Sequence, residues 1–138
     1  WHEVFSVVRQ DVPRADPISP LSFEFFEKHV LEDTDLLREA TLFALRDGRV
    51  VGFSGSFTGA MSGWVDQWLT AVVREERGKG VALALKLGVI RIAKELGYST
   101  IQTDNDTQNA PILAINDMLG FVREPAVLSM LSHISKTN

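Results

Sequence analysis

The chain predicts a single mixed α/β domain, and three observations carry the prediction. Two β-rich runs in ATLFALRDGRVVGFSGSF flank Asp47-Gly48, a pair suited to a tight hairpin turn. A third strand pattern, GWVDQWLTAVV, passes directly into a long apolar helix pattern over residues 80 to 96. Strand and helix patterns then alternate again in STIQTDN and NAPILAINDMLG. The predicted order, α-α-β-β-β-α-β-α-β-β, gives one sheet covered by helices.

Each element has a local cause. WHEVFSVVRQDVP is predicted as a short helix that ends before Pro13, and RADPISP as a loop. Ser19-Pro20 and Ser22 supply helix-start chemistry for LSFEFFEKHVLED. Gly97 stops the long helix. Asn109 is placed as the N-cap of the last helix, with Pro111 in its first turn and Gly120 just past its end. FVREP and AVLSMLSHI are predicted as late strands.

The composition narrows the function. At 138 residues the chain has the size of one domain. Hydrophobic residues make up 45% and charged residues 23%, enough to bury a core. A net charge of −4 argues against nucleic acid as a main partner. The absence of cysteine excludes disulfides and thiolate catalysis, and suits a cytoplasmic protein. No apolar run reaches the roughly 18 residues of a membrane span. Glu3 and Arg9 interrupt the N-terminal apolar stretch, so it does not have the pattern of a signal peptide. His2, His29 and His133 are scattered without metal-ligand spacing, so no metal is expected.

The most informative segment is LTAVVREERGKGVALALKLGVI, residues 69 to 90. Arg77, Gly78, Lys79 and Gly80 lie where a strand pattern meets a helix pattern. A helix start presents unpaired N–H groups and a positive partial charge, which together bind phosphate. Glycines let the backbone approach a ligand and adopt positive φ. Val81, Leu83, Leu85, Leu87 and Ile90 point to different sides, so the helix is expected to be buried almost all round. A charged surface turn capped by glycine is the plainer alternative. Two phosphate loops do not match. A Walker A loop needs Ser or Thr after its lysine, where this chain has Gly80, and a dinucleotide fingerprint needs Gly or Ala where it has Leu83.

Arg77-Gly78-Lys79-Gly80-Val81-Ala82 has the form Arg/Gln-x-x-Gly-x-Gly/Ala, and Asn109 is followed eleven and twelve residues later by Gly120 and Phe121. This pair of signatures resembles the GNAT superfamily of N-acetyltransferases, from the first helix onward. The resemblance implies a mixed, mostly antiparallel sheet flanked by helices. It also implies a strand before the first helix, for which there is no room ahead of WHEVF. The chain is therefore expected to be an N-terminally truncated domain, residues 1–138, or one half of a tandem protein.

The resemblance also implies a chemistry. An amine attacks the thioester of acetyl-CoA directly, with no covalent enzyme intermediate. Backbone pairing with the pantetheine arm and thioester falls to Thr70, Ala71 and Val72. Pyrophosphate binding falls to Gly78, Lys79, Gly80, Val81, Ala82 and Leu83, flanked by Arg77. Asn109 would hydrogen-bond the arm, the alternative being a plain N-cap. Many members carry a tyrosine seven residues after that asparagine, as proton donor to the thiolate. Here the position is Asn116, which cannot titrate but can hydrogen-bond the sulfur or position a water. It can equally cap a neighbouring loop.

Asp66 is the candidate base. On a regular strand it shares a face with Trp68 and Thr70, unless a bulge intervenes. Nearby Trp64 and Trp68 would raise its pKa by desolvation, whereas a solvated strand-edge aspartate would be unperturbed. Asp104 and Asp106 are weaker candidates. Phe23, Phe25 and Phe26 belong to the core or, by the resemblance, to the acceptor site. The expected partners are acetyl-CoA, an amine acceptor, and a second copy or tandem domain. The alternatives are a catalytically silent domain that binds acyl-CoA, and a nucleotide-binding regulatory module.

The glycine turn generates a direct test. Gly80→Val is expected to abolish acetyl-CoA binding by filling the ligand's space. Lys79→Ala should only weaken it, by about 1 kcal/mol or less, and flatten its salt dependence. Calorimetric titration checks both, with melting curves to control for strain. Wild-type binding by folded Gly80→Val would remove the pyrophosphate from this turn.

Overall fold

The computed structural model describes residues 1–11 and 20–125. Helix α1 (His2–Val8) ends in a 3-10 turn, and α2 (Phe23–Phe26) widens into a π turn over Glu27–Leu31. Strands β1 (Leu42–Arg46), β2 (Arg49–Thr58) and β3 (Trp64–Val72) follow. Helix α3 (Val81–Glu95), strand β4 (Thr100–Gln102) and helix α4 (Ala110–Met118) complete the described elements. The sheet order is β1-β2-β3-β4, with the first three strands antiparallel and β4 parallel to β3. Helix α3 is the crossover that parallel pairing requires. No described strand precedes α1, and β1 is the outer strand of the described sheet. No helix among the described residues is long and apolar enough to cross a membrane.

The local signals work largely as expected. Asp47 and Gly48 both have positive φ, +50° and +76°, and close the β1–β2 hairpin. Ser22 caps α2 by accepting a bond from the Phe25 amide at 3.1 Å. Gly97 and Gly120 end α3 and α4 in the same way. Tyr98 N–H donates to the Ala93 carbonyl and Gly97 N–H to Lys94; Phe121 N–H donates to Asn116 and Gly120 N–H to Asp117.

Two predicted strands need correction. Pairing of β4 ends at Gln102, three residues before the predicted end. FVREP forms no strand: Phe121 N–H is used in closing α4, and Arg123 is held to Asp117 at 2.6 Å, which folds the segment back on that helix. AVLSMLSHI lies outside the described residues.

The sheet has a core on each face. Phe5, Val8, Phe26, Val30 and Phe53 pack under α1 and α2, joined by Leu69 and Ala71. Leu37, Ala40, Val65, Val89 and Ala93 pack under α3. The expectation that α3 is buried all round fails. Its buried stripe is Leu85, Lys86, Val89 and Ala93, the spacing of one helix face, whereas Leu87 is 49% exposed. At Gly88 the helix backbone meets β1: an added Cβ would lie 2.6 Å from the Leu42 Cδ1.

Phe53 is fully buried and packs on Trp1 and Phe5. Truncation to alanine is expected to cost about 3–5 kcal/mol, the range for buried aromatics, read by denaturant melts.

Candidate active site

The site begins where the sheet opens. Pairing of β3 with β4 covers only Trp64–Thr100, Val65–Ile101 and Asp66–Gln102. Strand β3 continues to Val72, pairing with β2 on its other side through Thr70–Ser54, Ala71–Phe53 and Gly52–Val72. Its β4-side backbone edge beyond Asp66 therefore has no strand partner among the described residues. Thr70, Ala71 and Val72 lie on this open stretch.

The stretch leads straight into the glycine turn. Gly78 and Gly80 have φ of +71° and +80°, a conformation that favours glycine. A Cβ built on either would meet nothing within 4 Å, so the turn faces open space. Gly80 is the N-cap of α3 and offers no side chain to its amides. The first helical bond runs from Ala84 N–H to the Gly80 carbonyl, leaving the amides of Val81, Ala82 and Leu83 ahead of it. A groove of about 430 Å³ between β1 and this helix start reaches Lys79, Gly80 and Val81. The donors and the open glycine backbone together fit a pyrophosphate.

The charges at the turn are partly committed elsewhere. Arg77 holds Asp11 at 2.6 Å and donates to the Val72 carbonyl at 3.0 Å, tying the turn to the end of α1. Arg77 first, then Arg74, holds the Asp11 carboxyl below the usual carboxylate range. Lys79 pairs with Glu76 at 3.3 Å and is half-exposed.

A bulge intervenes on β3. The register passes from Gly55–Leu69 to Ser56–Gln67, so Trp68 is the extra residue. Asp66 therefore keeps the α1 face with Trp68, while Thr70 turns to the α3 face, where its hydroxyl meets Ser54. Gly55 makes room for the Trp68 ring, whose Cε3 an added Cβ would approach to 3.3 Å. Burial, and then the Asp104 charge, push the Asp66 carboxyl up.

Asn109 is the N-cap residue of α4, as expected, but its side chain makes no cap hydrogen bond. Asn116, seven residues on and 6% exposed, has an Oδ1 with no partner among the described residues. His2 bonds the Leu21 carbonyl and His29 stacks on Phe25, both packing roles; His133 lies outside the described residues.

Residues 1–121 match the family model for the acetyltransferase (GNAT) family. The chain belongs to the GNAT acetyltransferase family. Solved structures of the same fold include the aminoglycoside acetyltransferase AAC(6')-Iy in complex with a CoA bisubstrate analogue, at TM-score 0.68 and 19% identity, covering 96% of this chain and 92% of that one. An aminoglycoside acetyltransferase from an uncultured soil metagenomic sample, in complex with sisomicin, gives 0.72 and 14%, covering 96% and 88%. Ribosomal-protein-alanine N-acetyltransferase from Brucella melitensis gives 0.70 and 17%, covering 86% and 75%. Comparison with curated proteins gives no significant match.

This GNAT domain also contains a buried polar group that the sequence reading missed. Lys86 is 1% exposed, donates to Gln67 Oε1 and lies 5.3 Å from the centre of the Phe121 ring. The signal was present: a lysine at the spacing of Leu85, Val89 and Ala93 falls on the buried stripe. Burial lowers its pKa to about 8. Its folded pKa lies below the ordinary lysine value of 10.5, so the unfolded chain binds more protons between those values. Stability is therefore expected to gain a contribution as pH rises from about 8 toward 10.5, and Lys86→Met should remove that gain. Melts across this pH range check it.

Proposed function

We propose that this GNAT domain moves an acetyl group from acetyl-CoA to a primary amine of a small molecule or protein. The carrying observation is the open glycine turn with three free amides, directly beyond the point where β3 and β4 part. The turn, Gly78 to Leu83, would hold the pyrophosphate, with Lys79 beside it. The exposed edge of Thr70, Ala71 and Val72 would bond the pantetheine arm, joined by Asn109. When bound, acetyl-CoA supplies the activated acyl group. The amine nitrogen attacks its carbonyl, the C–S bond breaks and CoA leaves as thiolate.

Asp66 would take the proton that the amine must lose. Its raised pKa makes it a better base than an exposed aspartate. Asn116 has a buried amide with spare hydrogen-bonding capacity and would orient the sulfur or a water. A thiol of pKa about 8.5 needs little help to leave. The names of the structural neighbours point to amine acceptors of both kinds, aminoglycoside and protein. A cytoplasmic setting suits a cysteine-free chain that uses acetyl-CoA. The second reading, a domain that binds acyl-CoA without turnover, is favoured by Asn116, which supplies no proton.

Release of free thiol from acetyl-CoA across a panel of amines separates the two readings. With an acceptor in hand, Asp66→Asn is expected to lower kcat by about 10²- to 10⁴-fold, with the KM for acetyl-CoA little changed. In the wild type the rate should fall as pH drops through the Asp66 pKa, and that limb should vanish in the variant. An unchanged pH–rate profile would move the base elsewhere.

A further inference from the structure

Four side chains between α3 and the sheet form one hydrogen-bonded chain. Lys86 Nζ donates to Gln67 Oε1, and Gln67 Nε2 donates to Ser54 Oγ at 3.0 Å. Ser54 Oγ lies 2.8 Å from Thr70 Oγ1. Lys86, Gln67 and Ser54 are buried, whereas Thr70 is half-buried. The chain thus starts inside α3 and ends on the stretch of β3 that β4 leaves unpaired.

The donor inventory fixes its direction. An ammonium group only donates, so Gln67 must turn its oxygen to Lys86 and its nitrogen to Ser54. Ser54 Oγ accepts from that nitrogen, and its own proton needs an acceptor because buried hydroxyls are bonded. Thr70 Oγ1 is the acceptor it has. The Thr70 oxygen is then engaged from behind, and its own proton has no partner among the described residues.

We propose that Lys86, Gln67 and Ser54 are positioning residues, which orient the Thr70 hydroxyl as a donor toward a carbonyl oxygen on the acyl-pantetheine arm. The proposal rests on the acetyl-CoA reading above. It gives the buried lysine a role: an ammonium at one end of the chain dictates which end of the last hydroxyl faces the ligand. A neutral, apolar replacement would leave Gln67 free to flip and the polarity unset.

Gln67→Glu tests this with almost no change in volume. The carboxylate accepts from Lys86 and from Ser54 at once. Ser54 then turns its proton inward, Thr70 donates to Ser54, and the outward donor is lost. Calorimetric titration would use acetyl-CoA and, separately, adenosine 3′-phosphate 5′-diphosphate, the nucleotide half of CoA. Gln67→Glu and Thr70→Val should each bind acetyl-CoA about tenfold more weakly. Both should bind the nucleotide half as wild type does, and the double variant should be no weaker than either single one. Thr70→Ser should retain wild-type affinity, which keeps the test decidable if Gln67→Glu fails to fold. Wild-type affinity for acetyl-CoA in folded Gln67→Glu, additive losses in the double variant, or a Thr70→Ser as weak as Thr70→Val would each overturn the proposal alone. A wild-type chain that binds no acetyl-CoA would overturn the acetyl-CoA reading and this proposal with it.

Discussion

The early parting of two parallel strands is the constraint on which the rest of the structure depends. Backbone N–H and C=O groups need partners, and a central strand normally finds them on both sides. Among the described residues β3 has two neighbours only as far as Asp66. Apart from the Val72 carbonyl, which Arg77 takes, the remainder of the strand presents a ladder with one side unmade, next to a helix start whose own amides are unmade for a different reason. The two sets of unpaired groups are continuous in the chain. Such an edge invites β pairing with anything extended that carries amides. The shape and donors of the site follow from the backbone before any side chain is considered.

Side chains decide how firmly this backbone is held. Arg77 and Arg74 clamp the turn to Asp11 at the end of α1. The turn is therefore anchored across the end of the sheet to the layer that carries the Asp66 face. On the other layer, the Lys86 chain links α3 to β2 and β3 through hydrogen bonds in addition to their apolar contact. Burying an ammonium costs stability, and a hydrophobic residue would usually pack there at lower cost. The polar chain is consistent with a role for that position beyond packing.

What was legible in the sequence is what local chemistry determines. Asp47-Gly48, Ser22, Gly97 and Gly120 act through their own backbones and near neighbours, so the elements they start or stop were readable. The turn at Gly78 and Gly80 was readable for the same reason. The bulge at Trp68 was not, because it is set by register against Gly55 on another strand. That single extra residue moves Thr70 to the face opposite Asp66 and separates what strict alternation had joined. Lys86 was missed because an apolar helix was read as uniformly buried. Its true face shows only when positions 85, 86, 89 and 93 are taken as one stripe. The predicted strand FVREP failed because its backbone donor and its arginine are spent on closing the preceding helix.

The contact between Gly88 and Leu42 has an evolutionary consequence. The two positions share one volume: a methyl group added at 88 would need the space that the leucine tip occupies. A side chain at 88 is therefore admitted only when the flexible tip of Leu42 turns aside or position 42 shrinks. An exchange that enlarges 88 while shrinking 42 leaves the spacing between helix and strand unchanged while both identities drift.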